Sequence, residues 1–164
     1  MGYRLPPTAA RRVGFELATP REVEVAPAGE MLRCRERRGE VTIGELEIEV
    51  FHAALVIDRD GILEEKVRER IEAAIAAGAH VLEAVPFELA NASGYRVDAE
   101  YLRGGARPAL PYVYVFAIAP DDLGVDAGVV VTVRSASAQW PAADEILRSL
   151  RLLSRRSTSA NDVR

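Results

Sequence analysis

The strictest constraint on the fold is a run in which acidic and apolar residues alternate one by one. Its members are Glu45, Leu46, Glu47, Ile48, Glu49 and Val50. Because successive side chains of a β-strand point to opposite faces, this pattern predicts a strand with one buried and one charged face. Arginines alternate in the same way just upstream, at Arg33, Arg35 and Arg37, and we expect them to lie opposite the glutamates on a neighbouring strand.

The connection between these two runs has two interpretations. Both Gly39-Glu40 and Gly44-Glu45 fit a turn. The apolar parity also changes between Ile43 and Leu46, which indicates a turn or a β-bulge at Gly44.

Two segments have helical rather than strand periodicity. A helix is predicted over residues 61–77, because apolar residues recur there at every fourth position and Gly78 follows. Pro141 suits the first position of a second helix, whose apolar stripe ends at Leu153. Residues 112–118 are instead apolar at every position, which predicts a central strand that is covered on both faces.

The order of these elements predicts the fold class. Strands with short connections pair antiparallel, and single helices after runs of strands are typical of α+β domains. We therefore predict a single antiparallel sheet of about six or seven strands, flanked by two main helices. One α+β domain is expected over residues 13–153, with an N-terminal arm at 1–12 and a polar tail at 154–164.

Composition restricts the class of protein further. The 164 residues carry a net charge of -4, and no basic stripe is evident, so we expect no nucleic-acid partner. Cys34 is the only cysteine, which rules out an intrachain disulfide. The first 13 residues lack the apolar run of a signal peptide and no stretch is long and apolar enough to span a bilayer, so we expect a cytoplasmic protein without membrane insertion.

Catalytic and metal-binding patterns are scarce. The sequence has two histidines, His52 and His80, and they are not spaced as a helical zinc motif. Nucleophile-elbow and phosphate-loop motifs are missing, and the alternation around Cys34 favours a small buried side chain. The acidic cluster Asp121, Asp122 and Asp126 is typical of a solvated turn, with a weak contact to a metal or a basic partner as the alternative. We therefore expect no catalytic residue, no metal and no cofactor.

Four residues are candidates for a binding surface: Tyr95, Arg103, Tyr112 and Tyr114. Tyrosine and arginine are the side chains that most often dominate binding energy at interfaces. Tyr95 shares one face of a predicted strand with Tyr101, and Tyr112 shares one face of the next with Tyr114. If the two strands are neighbours, the rings form one surface with Arg103 and Arg107 near its rim. The alternative is that these rings fill the space between the sheet and a helix.

The C-terminal run GVVVTVRSASAQWPAADEILRSLRLL resembles the end of PsbP-like and DcrB-like proteins, which finish with a strand, a loop and a helix bearing a segment such as Ser149-Leu150-Arg151. Residues 58–75 resemble the acidic turn and amphipathic helix of that superfamily, and Gly94-Tyr95-Arg96-Val97 resembles its glycine-led strand. The resemblance covers residues 13–153 in the order of the elements. It implies an antiparallel sheet between helices and function by binding, and it transfers no site residue.

These observations favour a cytosolic binding module, either an adaptor or a small chaperone-like protein. It would present an aromatic sheet face or an edge strand to a protein segment, so we expect a protein partner. The alternative is a small-molecule-binding protein or minor enzyme, with a pocket between the sheet and the first helix that uses His52 or the Asp121 to Asp126 loop. A homodimer through an edge strand is a third hypothesis, although the glutamate stripe opposes pairing at that strand.

Overall fold

The computed structural model describes residues 1–52, 59–102, 108–121 and 127–154. Two α-helices and a series of β-strands occur within these ranges. In chain order, the elements are β1 (Gly2–Leu5), β2 (Val13–Ala18), β3 (Val23–Ala28), β4 (Met31–Arg38), β5 (Val41–His52), α1 (Arg59–Ala76), β6 (Ala79–Val81), β7 (Val85–Glu88), β8 (Ala92–Tyr101), β9 (Tyr112–Pro120), β10 (Ala127–Ser135), α2 (Pro141–Ser149) and β11 (Arg151–Ser154). The fold is therefore α+β, as predicted.

The sheet arrangement differs from the prediction. The described residues form eleven strands in two antiparallel sheets instead of one sheet of six or seven strands. The main sheet has the order β3-β4-β5-β10-β9-β8-β6, with β7 also paired to β8, and the small sheet has the order β1-β2-β11. The strands β1, β6 and β11, which the sequence did not indicate, have only three or four residues each, which is too short for an alternating pattern to emerge.

Both ends of the chain contribute to the small sheet. Residues 2–5, within the segment interpreted as an N-terminal arm, pair with β2. The last helix ends at Ser149 and not near Leu153, because Leu150 adopts an extended conformation (φ -65°, ψ 128°). Leu152 then pairs with Phe15 of β2, so part of the apolar stripe assigned to the helix belongs to a strand.

The main sheet is covered on both faces. Helix α1 packs against β8 and β9 on one face, where Leu63, Val67 and Ile71 are buried. On the other face, α2 and the small sheet cover a second core that includes Phe15, Phe116 and Ile146 among its fully buried side chains. Among the described residues, neither helix is long and apolar enough to cross a membrane.

The sequence allowed two positions for the connection between β4 and β5, and the structure distinguishes them. The turn lies at residues 39–40, where Gly39 has a φ of +64° that favours glycine. Glu36 pairs with Gly44 and Arg37 pairs with Thr42, so a bulge lies next to Gly44. The predicted charge pairing is also present, with Arg33 bound to Glu47 and Arg35 bound to Glu45, each at 3.0 Å.

A candidate binding groove between helix α2 and strand β9

The three candidate tyrosines do not form one surface. Strands β8 and β9 are neighbours, as the prediction required, with Tyr95 opposite Ala117 and Glu100 opposite Tyr112. Residues that pair across two strands share a face, so Tyr95 lies on the face with Ala117, while Tyr112 and Tyr114 lie on the other. The expectation of a joint tyrosine surface is therefore wrong, because the pairing register places the two sets on opposite sides of the sheet.

On the α1 face, Tyr95 and Tyr101 pack against the core beneath the helix, as the alternative interpretation proposed. Burial raises the pKa of Tyr95, and a hydrogen bond with the Asp60 carboxylate raises it further. Arg103, together with Arg107, lies outside the described residues. Of the four candidates, Tyr112 and Tyr114 thus remain as the pair that shares a face.

These two tyrosines lie on the floor of a groove. Tyr112, Tyr114 and Phe116 succeed one another on the same face of β9, and each lines one of three adjoining hollows. The hollows have volumes of about 400, 240 and 650 Å³ in that order along the strand. The first two share Ala138, and the second and third share Phe116 and Asp144, so the three hollows adjoin one another along β9, and we call them together the groove.

Arg96 holds the centre of the groove. Its Nε and one terminal nitrogen donate hydrogen bonds to the two carboxylate oxygens of Asp98, at 2.6 and 3.2 Å. The guanidinium also lies 4.7 Å from the ring centre of Tyr114 and 5.4 Å from that of Phe116, within the range of cation–π attraction. One cation therefore fixes two aromatic rings and one carboxylate, which gives the floor a defined shape.

Further contacts hold the aromatic rings in place. The hydroxyl of Tyr114 donates a hydrogen bond to the carbonyl oxygen of Ala138, in the segment before α2. The ring of Phe87 packs edge-on against Phe116, with centroids 4.8 Å apart and an interplanar angle of 65°. Burial raises the pKa of Tyr114, the carboxylate of Asp98 raises it further, and the charge of Arg96 opposes both.

The walls of the groove come from α2 and β7. Helix α2 buries Ala142, Ala143, Ile146 and Leu147 against the core. Its exposed Asp144 and Arg148 stand four residues apart on one side of the helix, where both border the groove. On the opposite wall, β7 contributes the side chain of Phe87. The groove therefore combines an aromatic floor with a charged rim on the α2 side.

The catalytic and metal candidates lie elsewhere. His52 is at the end of β5, with its Nε2 3.8 Å from Glu30 and its side chain 43% exposed. Asp121 accepts a hydrogen bond from Ser93 at 2.7 Å, whereas Asp122 and Asp126 lie outside the described residues. Within the described parts of the chain, no group of three histidine, cysteine or acidic side chains could hold a metal ion. The groove also lies on the α2 face, and not between the sheet and the first helix.

Cys34 is buried completely, which confirms its interpretation as a small core residue. Burial raises the pKa of its thiol to about 11 from an ordinary value of 9.0. Because the thiolate is the reactive form and the side chain is inaccessible, we expect this thiol to be unreactive at neutral pH.

Several residues of the groove were not predicted from the sequence. Phe116 lies in a strand that is apolar at every position, so nothing in the pattern distinguishes its two faces. Arg96 alternates with apolar neighbours and therefore has the pattern of an ordinary solvent-facing strand residue. Asp144 and Arg148 are not among the candidates from the sequence, although their spacing of four residues predicts a shared side of the helix.

No family model and no curated protein sequence matches the chain. Among solved structures, the Ran-binding protein Mog1p of Saccharomyces cerevisiae matches 95% of this chain over 97% of its own length, with a TM-score of 0.53 and 10% identity. A protein of Bacteroides thetaiotaomicron matches 94% of the chain with a TM-score of 0.44 and 10% identity, and our chain spans 49% of its length. The likeness to Mog1p shows a shared fold, which agrees with the α+β architecture that the sequence resemblance implies.

Proposed function

We propose that this chain is a non-catalytic, cytoplasmic binding module that holds a segment of a partner protein in the groove between α2 and β9. The observation that carries the proposal is the pair of half-buried side chains Tyr112 and Tyr114 on a face of β9 that α2 leaves partly open, with the buried ring of Phe116 next to them. Aromatic side chains and arginine supply most of the energy at protein interfaces, and this floor contains both.

Preorganisation supports the same proposal. Arg96 fixes Tyr114 and Phe116 before any partner arrives, so binding requires little ordering of the floor. The fold shared with Mog1p is compatible with a protein-binding role, since that protein is named for binding Ran. At 10% identity we carry over no partner from it.

A small-molecule ligand is the second candidate function. The hollow beside Phe116 has a volume of about 650 Å³, which lies in the range of small-molecule sites. Its lining combines apolar side chains with Arg96, Asp144 and Arg148, the kind of mixture that orients a ligand. The two candidates predict different occupants of one groove, so a single labelling experiment separates them.

The experiment uses the inert Cys34. Because this thiol is buried, a new cysteine on the surface is labelled selectively by a maleimide photocrosslinker. The labelled variants are Ala138→Cys and Ala90→Cys, both exposed positions that line the groove, and Ala73→Cys, an exposed position on α1, as the matched control. Each labelled protein is irradiated in a lysate of the source cells, and the products are identified by mass spectrometry.

We expect one protein to be crosslinked at both groove positions and not at Ala73. Equal crosslinking from all three positions, or a product consisting of two copies of this chain, would refute the proposal. The absence of groove crosslinks, combined with a thermal shift in a metabolite fraction that Ala90→Trp abolishes, would establish the small-molecule function instead.

A further inference from the structure

We infer that this chain forms a homodimer through the free edge of β1, which pairs antiparallel with β1 of a second copy. The small sheets of the two copies, each with the order β1-β2-β11, then join into one sheet of six strands. The inference goes beyond the proposed function, because none of the described residues that line the groove lies in β1. It depends on the backbone groups of β1, on the other sheet edges, and on the side chains that the pairing brings together.

The backbone of β1 directs hydrogen-bonding groups away from β2 at two positions. The N–H of Thr19 donates to the carbonyl oxygen of Met1 at 2.8 Å, and the ammonium group of Met1 donates to the carbonyl oxygen of Thr19 at 3.1 Å. Because bonded and non-bonded pairs alternate along antiparallel strands, Tyr3 directs its N–H and C=O to β2, whereas Gly2 and Arg4 direct theirs outward. Within the part of the chain that the structure describes, these outward groups have no partner.

The other sheet edges within the described ranges are protected against such pairing. Strand β3, at one end of the main sheet, contains Pro27, which has no N–H. At the other end, residues 83–84 form a bulge between β6 and β7, and Pro86 follows. On β11, the side-chain amide of Asn91 donates to the carbonyl oxygen of Leu152 at 2.7 Å. Among the described strands, β1 is therefore the edge that has no proline, no bulge and no such side-chain contact.

The spacing of the outward groups makes β1 complementary to itself. When two copies are antiparallel with Tyr3 opposite Tyr3, Gly2 of each copy lies opposite Arg4 of the other. Each of these pairs exchanges two hydrogen bonds, so every outward group of β1 is satisfied in both copies. Arg4 is the only charged side chain of β1 and stands opposite a glycine, so the pairing brings no like charges together. The glutamate stripe that opposes edge pairing lies in β5, inside the main sheet.

The same register covers the most exposed large apolar side chain among the described residues. Met1 is 87% exposed, and it lies on the face of β1 that also carries Tyr3 and Leu5. Those two side chains are half-buried at the margin of the core, where the Tyr3 ring is 5.9 Å from that of Phe15. In the dimer, Met1 of each copy packs against Leu5 of the other, and the two Tyr3 rings are neighbours. This apolar match favours a second copy over an unrelated strand as the occupant.

The first test measures self-association of the full chain by sedimentation velocity at protein concentrations from about 5 to 500 µM. Because β1 has four residues, the contact is small, and we expect a dimer with a Kd on the order of 10–100 µM. Arg4→Pro removes the outward N–H of each copy, and therefore two hydrogen bonds of the dimer, without removing a bond to β2. It should weaken the dimer at least about tenfold, whereas the matched control Arg4→Ala keeps the N–H and should leave the Kd unchanged.

The second test examines the register with new cysteines, since Cys34 is buried. In the dimer, the two copies of Tyr3 form a non-hydrogen-bonded pair with Cα atoms about 4.5 Å apart, which suits a disulfide. The two copies of Arg4 are about 8 Å apart, which is too far for one. Under mild oxidation, we therefore expect Tyr3→Cys to form a disulfide-linked dimer at least about tenfold faster than Arg4→Cys.

Three results would overturn the inference. The first is a wild-type chain that stays monomeric at about 500 µM. The second is a dimer that Arg4→Pro does not weaken. The third is equal disulfide formation in Tyr3→Cys and Arg4→Cys, which shows that β1 does not pair in this register. Each result leaves the photocrosslinking test of the groove unaffected, because the groove positions lie outside β1.

Discussion

Gly44 is a position where the addition of one methyl group should have a large effect on stability. It lies under the ring of Trp140, the residue directly before α2, and Trp140 is 4% exposed. A Cβ atom at position 44 would stand 2.6 Å from Trp140 Cε3 and closer still to Cδ2 and Cε2. The indole cannot retreat freely, because its Nε1 donates a 2.6 Å hydrogen bond to the buried carboxylate of Glu36.

The magnitude follows from these two contacts. Forcing a methyl group into a packed core costs about 1–3 kcal/mol, and weakening a hydrogen bond to a buried charge costs about 1.5–3 kcal/mol when it is lost entirely. We expect Gly44→Ala to lower the free energy of unfolding by about 3 kcal/mol. For a chain of this length, that corresponds to a fall in Tm of about 6–12 °C.

A double-mutant cycle isolates the cause. In a Trp140→Ala background the ring is absent, so Gly44→Ala should be neutral or should stabilise by up to about 1 kcal/mol, because alanine restricts the unfolded strand more than glycine does. Gly2→Ala serves as the control, since the nearest atom to its Cβ would be 3.9 Å away. Unfolding in urea is followed by circular dichroism, because Trp140 is the only tryptophan. A cost below about 0.5 kcal/mol, or an equal cost in both backgrounds, would refute the reasoning.

Three further predictions concern the buried thiol and the groove. The folded chain retains the proton of Cys34 up to a pKa of about 11, while the unfolded thiol ionises near 9.0. Stability should therefore fall by up to about 2–3 kcal/mol as the pH rises through that interval, and urea titrations of Cys34→Ala should lack this component. Tyr114→Phe removes the donor to Ala138 and should cost about 1 kcal/mol in urea unfolding, and no loss would mean that water replaces the bond. Arg96→Met should lower the free energy of unfolding by only about 1 kcal/mol, because the Arg96 side chain is 35% exposed and its ion pair is screened by solvent. Adding Asp98→Asn should restore part of that loss, since it removes the carboxylate left without its partner. An unchanged Tm in Arg96→Met would contradict the proposal that Arg96 fixes the floor of the groove.

The secondary structure of the long periodic segments was predictable, because many residues in each segment follow the same pattern of burial. The helix expected over 61–77 is α1 over Arg59–Ala76, and the alternating run from Glu45 to Val50 lies within β5. The strand expected at 112–118 is β9, which lies between β8 and β10 in the main sheet. In each case the element is long enough for its buried and exposed sides to give a regular pattern of apolar and polar residues in the sequence.

The short strands were not predictable for the opposite reason. β1 and β11 form only because they pair with β2, and that pairing joins residues from the two ends of the chain. Leu152 would suit a helix stripe or a strand equally well by pattern alone. It becomes a strand residue because Leu150 leaves the helical conformation and directs the chain toward Phe15. Such long-range contacts override a weak local preference.

The position of the tyrosines depended on one quantity that the sequence does not contain, the register between β8 and β9. Even-numbered residues of β9 pair with even-numbered residues of β8, so Tyr112 and Tyr114 share a face with Arg96 and Asp98 instead of Tyr95. A shift of one residue would have placed all the tyrosines together, because it reverses the faces of a strand. The same register also brings Arg96 beside Tyr114 and Phe116. The pairing that separates Tyr95 from the other two tyrosines is therefore the pairing that assembles the floor of the groove.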